Sequence, residues 1–130
     1  MDSEKRMTIV VRRAPYGTID AAEAIRHAGG GLSFQVPTTL LLMEDGVFIA
    51  RRDQRPEGIG YLSLSRALEE YLTRRGQDQE GREISGRVVV HGPSARERGL
   101  APGELIAGAK VVEEAETARL LAESGWTLVY

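Results

Sequence analysis

An α/β fold, three layers deep with a parallel five-stranded sheet between its helices, is what this sequence predicts, and three observations carry the prediction. Short runs of β-branched and apolar residues alternate with amphipathic helical patterns from one end of the chain to the other. One of those runs, "TTLLLME" (38–44), is apolar almost throughout, as a strand is when helices cover both faces of its sheet. The length of 130 residues, with 42% hydrophobic and 28% charged, suits one domain built around one core. Strands separated by helices pair in parallel, because each right-handed crossover lays its helix on one side of the sheet or the other.

The elements follow in order. "MTIVVR" (7–12) reads as a buried strand that the Pro and Gly of "APYGT" break. Thr18 or Asp20 can cap the helix through "IDAAEAIRHA", whose Ala21, Ala24, Ile25 and Ala28 share one face, and "GGG" (29–31) is expected to end it. After the strand at 38–44, "EDGVFIARRD" reads as a turn and short helix, and "QRPEGIG" as a loop. The helix at 61–75 is the clearest pattern. It sets Leu64, Leu68, Tyr71 and Leu72 on one face and Arg66, Glu69, Glu70 and Arg74 on the other. "GQDQEGREISG" is polar and glycine-rich and is expected to be a mobile loop inside the domain. "RVVV" is the next strand and runs straight into His91; a short helix near "SARERG" and a turn at "APGEL" come after it. A strand at 109–113, a helix at 115–124 and a strand at 126–130 complete the pattern, with no internal repeat, and the whole 1–130 reads as a single domain.

Composition excludes several function classes. A net charge of −2 gives no excess for a phosphate backbone to attract, so nucleic acid is not an expected partner. With no cysteine, this chain alone can form no disulfide, persulfide or thiolate ligand. No apolar run approaches the roughly 20 residues of a membrane span, and the opening "MDSEKRMTIVV" lacks the apolar stretch of a signal peptide, so a cytoplasmic protein is expected. Lys5 and Lys110 are the only lysines, and the other basic residues are arginine.

In open parallel sheets ligands sit beyond the carboxyl ends of the strands, which here directs attention to "RRAPYGT", "MEDGVF" and "HGPSARERG". Arg12 and Arg13 end the first strand with Tyr16 and Thr18 just beyond, a grouping suited to an anion, although solvated arginines or salt bridges explain it as well. Glu44 and Asp45 lack a neighbouring acid to complete a magnesium cage, and Asp45 is expected to cap its own loop through the amides of Val47 or Phe48. The three glycines follow a helix instead of a strand, which argues against a dinucleotide loop. Ser94 sits outside any nucleophile elbow. With Glu97 three residues on it fits a capping box, and its place beside His91 keeps it among the ligand-binding candidates Arg12, Arg13, Tyr16, Thr18, His91 and Ser94. Arg51, Arg52 and Arg55 read as a solvated run. With His27 on a different helix, no metal site and no cofactor are expected.

"APYGT" after the first strand, "DGVF" after the second, and His91 followed eight positions later by Gly99 in "SARERGL" together resemble the DsrE/DsrF family of sulfur-relay proteins, nearest its TusC/DsrF branch. The likeness runs from Met7 to Tyr130. It implies a five-stranded parallel sheet of strand order 4-3-2-1-5, assembly into trimers or hexamers, and a part in cytoplasmic sulfur transfer. Family members that carry sulfur place the acceptor cysteine where this chain has His91. An imidazole cannot hold sulfane sulfur, so the resemblance implies a cysteine-less, non-catalytic or scaffolding component, self-associated or joined to cysteine-bearing DsrE-like subunits. His91 itself is open to three roles: a structural residue at a strand end, a polar contact to a ligand or a partner's persulfide, and a metal ligand or general base. A second functional class stays open beside the scaffold, a protein that binds or transforms a small anion with the strand-end loops around His91. Apolar residues Ile25, Leu64, Leu68, Leu121, Val47, Phe48 and Ile49 are expected to leave surface that association would cover.

Overall fold

From its amino end the chain forms β1 (Met7–Val11), α1 (Asp20–Ser33), β2 (Thr38–Leu42), α2 (Leu64–Thr73), β3 (Arg75–Gln77), β4 (Glu83–Ser85), β5 (Arg87–His91), α3 (Gly92–Glu97), β6 (Ala109–Val112), α4 (Glu114–Ala122) and β7 (Trp126–Val129). Single 3₁₀ segments occupy Glu44–Ala50, Pro56–Ile59 and Pro102–Glu104. The computed structural model describes residues 5–130; residues 1–4, part of the opening stretch in which no signal peptide is read, lie outside them.

Five strands make one parallel sheet in the order β6-β5-β2-β1-β7, which is 4-3-2-1-5 when its strands alone are counted. Alternation along each strand divides the core in two. Ile9, Val11, Leu40, Leu42, Val88 and Val90 point to the face that α1 and α2 cover, with Ala21, Ala24, Ala28, Leu32 and Leu68 among the helical residues that meet them. Val10, Leu41 and Val89 point the other way, where Leu120 and Leu121 of α4 lie over them. β2 is buried at every position because it sits in the middle of the sheet with a helix layer on each side, as its unbroken apolar run predicts. Each fully buried leucine there contributes about 1.5–3 kcal/mol of transfer free energy.

Several local expectations are corrected. The glycines do not end α1, which runs through Gly29–Gly31 to Ser33. Close packing explains them: a Cβ on Gly31 would lie 2.3 Å from the Thr38 hydroxyl, and one on Gly29 2.8 Å from the Arg74 guanidinium, which donates to the Gly29 carbonyl at 3.2 Å. α2 begins at Leu64, later than periodicity suggests, because the Ser63 hydroxyl accepts from the Arg66 N–H at 3.3 Å and caps it there. The "GQDQEGREISG" linker is an ordered hairpin, β3 against β4, pinned where the Asp78 carboxylate accepts from the amides of Glu80 and Arg82 at 2.9 and 2.8 Å. Leu68, Val47 and Ile49 are fully buried and leave no surface for association. The exposed large apolar side chains are instead Ile19, Phe34, Ile59, Tyr61, Leu62, Trp126, Leu128 and Val129, and β7 is an edge strand exposed along its length.

Candidate functional site

Register brings the three loops singled out from the sequence together. Val11 pairs with Leu42 and Leu42 with Val90, so Arg12, Met43 and His91 are the next residues along three adjacent strands, at the carboxyl edge of the sheet. His91 is also opposite Val112 of β6, which places Glu113 and Glu114 beside it. His91 ends β5, is the N-cap residue of α3, and is only 7% exposed.

Both of its ring nitrogens are engaged. Nε2 lies 2.6 Å from the Glu114 carboxylate and Nδ1 2.6 Å from the Ser94 hydroxyl, which in turn accepts from the backbone N–H of Glu44 at 2.9 Å. An ionised carboxylate can only accept, so Nε2–H donates to Glu114, and in the neutral imidazole Nδ1 is then the acceptor for the Ser94 O–H. This assignment follows from the network's chemistry. The chain of bonds ties α4, β5, α3 and the end of β2 through one imidazole. Glu44 is held in left-handed backbone at φ 52, an uncommon conformation for a residue with a side chain, and the Ser94 hydroxyl and Arg12 both fasten it.

The rim is a set of ion pairs. Arg12 meets Glu44 at 2.9 Å, Arg13 meets Asp20 at 3.1 Å, and Arg98 meets Asp45 at 2.9 Å. Arg96 grips Glu113 with two bonds of 2.8 and 2.7 Å, and that grip holds the Glu113 carboxyl below its ordinary range. Arg12, Arg13, Tyr16 and Thr18 line one open cleft of about 590 Å³ with Glu44, Asp45 and Tyr130. Tyr16 does not turn into it freely, because its hydroxyl donates to the Gln54 side chain and accepts from the Leu64 N–H at 3.1 Å. The Thr18 hydroxyl accepts from the Asp20 N–H at 3.3 Å. His91 and Ser94 are not among the residues lining the cleft, although Ser94 reaches Glu44 on its wall.

Two sequence readings are revised at this point. Ser94 makes no capping box, since α3 starts at Gly92 and places Ser94 inside its first turn with the hydroxyl on His91. Asp45 does not cap its own loop and binds the Arg98 guanidinium instead. Sequence reasoning missed Glu114 as the partner of His91. The signal was present: "VVEEAET" ends the strand next to β5, and parallel pairing puts the ends of neighbouring strands side by side. Among the described residues no helix is long and apolar enough to cross a membrane.

The intracellular sulfur oxidation protein DsrF of Allochromatium vinosum is 32% identical over 105 residues, 78% of this chain and 68% of that protein. A TusC homolog of Pseudomonas aeruginosa is 29% identical over 108 residues, 83% of each. The crystal structure of the ychN protein from E. coli superimposes with a TM-score of 0.78 at 24% identity, over 96% of this chain and 98% of that one, and shares its fold. The description "DsrE/DsrF-like family" belongs to a model matching residues 5–130, the whole sheet from before β1 to after β7, and the chain is therefore a member of the DsrE/DsrF-like family.

Proposed function

We propose that this chain is a non-catalytic, scaffolding component of cytoplasmic sulfur transfer, assembled with itself or with cysteine-bearing DsrE-like subunits. One observation carries the reading. At the end of β5, the position to which the family resemblance assigns an acceptor cysteine, stands a buried histidine, its two nitrogens already bound to Ser94 and Glu114, in a chain without any cysteine. A sulfane sulfur needs a thiolate to accept it, and none is available. The names of the relatives, an intracellular sulfur oxidation protein and a TusC homolog, support the pathway. Reading the cleft as a small-anion site has less behind it, because Arg12 and Arg13 are each matched by a carboxylate.

The test pairs two measurements. Incubated with a cysteine desulfurase and radiolabelled cysteine, the protein is expected to take up no covalent, reductant-labile sulfur, and a label stoichiometric with the chain would overturn the proposal. Purified at tens of micromolar, an order-of-magnitude range for specific interfaces, it is expected to scatter light as an assembly. The exposed row Trp126, Leu128 and Val129 on an edge strand that bears no charge supports that expectation. A monomer at that concentration that also retains no cysteine-bearing protein from its native host would remove the scaffold reading.

A further inference from the structure

We propose that a cavity at the opposite, amino-terminal edge of the sheet binds a small carboxylate that carries a second hydrogen-bond donor. The cavity, about 440 Å³, is bounded by the first residues of β1, β2 and β5, the β3–β4 hairpin and the end of α4, and is independent of the sulfur-transfer reading. A volume of that order is ample for a ligand of a few heavy atoms.

Register defines its floor. Thr8 pairs with Thr39 and Thr39 with Arg87, so the three residues share one face, the face on which Val10, Leu41 and Val89 meet α4 two residues further along. The Thr8 hydroxyl is satisfied by the Ser124 hydroxyl, which donates to the Leu120 carbonyl at 2.9 Å. Thr39 is 5% exposed and its hydroxyl has no hydrogen-bond partner among the described residues. No side-chain oxygen or nitrogen among the described residues is both sealed and unpartnered, so the Thr39 hydroxyl retains an opening, and the cavity it lines is that opening. A hydroxyl so placed calls for a partner inside the cavity.

The charges select the partner. Lys5 pairs with Glu80 at 2.8 Å, Arg6 with Glu123 at 3.7 Å and Arg82 with Asp78 at 2.8 Å. Two charged lining groups have no ion pair or side-chain hydrogen bond among the described residues: Arg87, beside Thr39 in the register, and Glu83 on β4. The Arg87 guanidinium presents a fork to a carboxylate, and the Thr39 hydroxyl adds a donor. Glu83 would repel a dianion such as inorganic phosphate but accepts from a hydroxyl or ammonium on the same ligand.

Acetate, glycolate and glycine are near-isosteric probes that differ by H, OH and NH₃⁺ on one carbon. In amide NMR titrations at constant ionic strength, the signals of Thr39, Gly86 and Arg87 are expected to shift saturably with all three, glycolate and glycine binding more tightly than acetate. Arg87→Gln, at an exposed position, is expected to weaken glycolate about ten- to hundredfold, the loss of a charge-assisted hydrogen bond. Thr39→Val keeps the side-chain shape and is expected to weaken it about three- to tenfold with an unchanged far-ultraviolet spectrum. Shifts that never saturate, or an Arg87→Gln variant that titrates like the parent, would overturn the site. Equal affinity for the three probes, or tighter binding of phosphate than of any of them, would overturn the ligand assigned to it.

Discussion

At the scale of single residues, His91 shows how much of a site can be read from its surroundings in sequence. Its place at the end of a β-branched run was legible. Its partners were harder to read, because Ser94 reaches it through the turn of α3 and Glu114 from just beyond a neighbouring strand, a signal that can be used only once the pairing of β5 with β6 is known. Ser94 carries more of the structure than His91 alone suggests, since it satisfies both the Nδ1 atom and the Glu44 amide. Ser94→Ala leaves both without their partner, and is expected to cost about 1–3 kcal/mol in urea unfolding, against a near-zero change for a solvated serine. A loss below a few tenths would mean that neither bond matters to stability. Tyr71 supplies a pH dependence. Burial raises its hydroxyl, which donates to the Thr38 carbonyl at 2.7 Å, well above the phenol's ordinary value of about 10. The unfolded chain then loses this proton before the folded one does. The stabilising contribution is complete below pH about 10 and falls as pH rises from there towards the folded-state value. Tyr71→Phe should therefore flatten the alkaline decline in unfolding free energy, the remainder including Tyr130, which burial shifts in the same direction.

At the scale of elements, the differences between expectation and structure have one cause, which is that glycine and polar composition are read locally while packing acts from a distance. "GGG" has the composition of a helix stop, yet α1 continues because Gly29 and Gly31 let the helix lie close against Arg74, Thr38 and Met7. The middle glycine is different, with nothing within 4 Å of where its Cβ would be. Gly30→Ala is accordingly expected to stabilise the protein by about 0.5–1 kcal/mol, through the lost freedom of the unfolded chain. Its neighbour Gly31→Ala should destabilise it by about 1–3 kcal/mol through overpacking. Thermal unfolding of the two variants reads the sign directly, and equal effects would refute the packing explanation. The linker between α2 and β5 reads as mobile because it is polar and glycine-rich, and its strands, three residues each, are too short to show an apolar alternation. "DQEG" was the available signal, an aspartate that gathers two amides and a glycine at φ 82 that turns the chain back.

At the scale of the whole molecule, the strand order 4-3-2-1-5 implied by the family resemblance is the order observed, and the division into two faces follows from the alternation along each strand. The apolar surface left outside is not where helical periodicity suggests. α4 presents its polar side outward, while Trp126, Leu128 and Val129 lie on β7 at an open sheet edge. Because Trp126 is the only tryptophan, its emission should shift to the red on dilution if that edge is covered by association, and an emission maximum independent of concentration across dissociation would place the interface elsewhere. Sequence by itself determined the class of fold, the positions of the sheet strands and the absence of a sulfur-accepting thiol, because periodicity and residue chemistry are properties of a segment alone. Tertiary structure decided which carboxylate meets His91, which arginines are already neutralised, and which of three adjacent glycines are closely packed against other elements. Those depend on strand register and on the close approach of elements far apart in the chain, distances that no local pattern encodes.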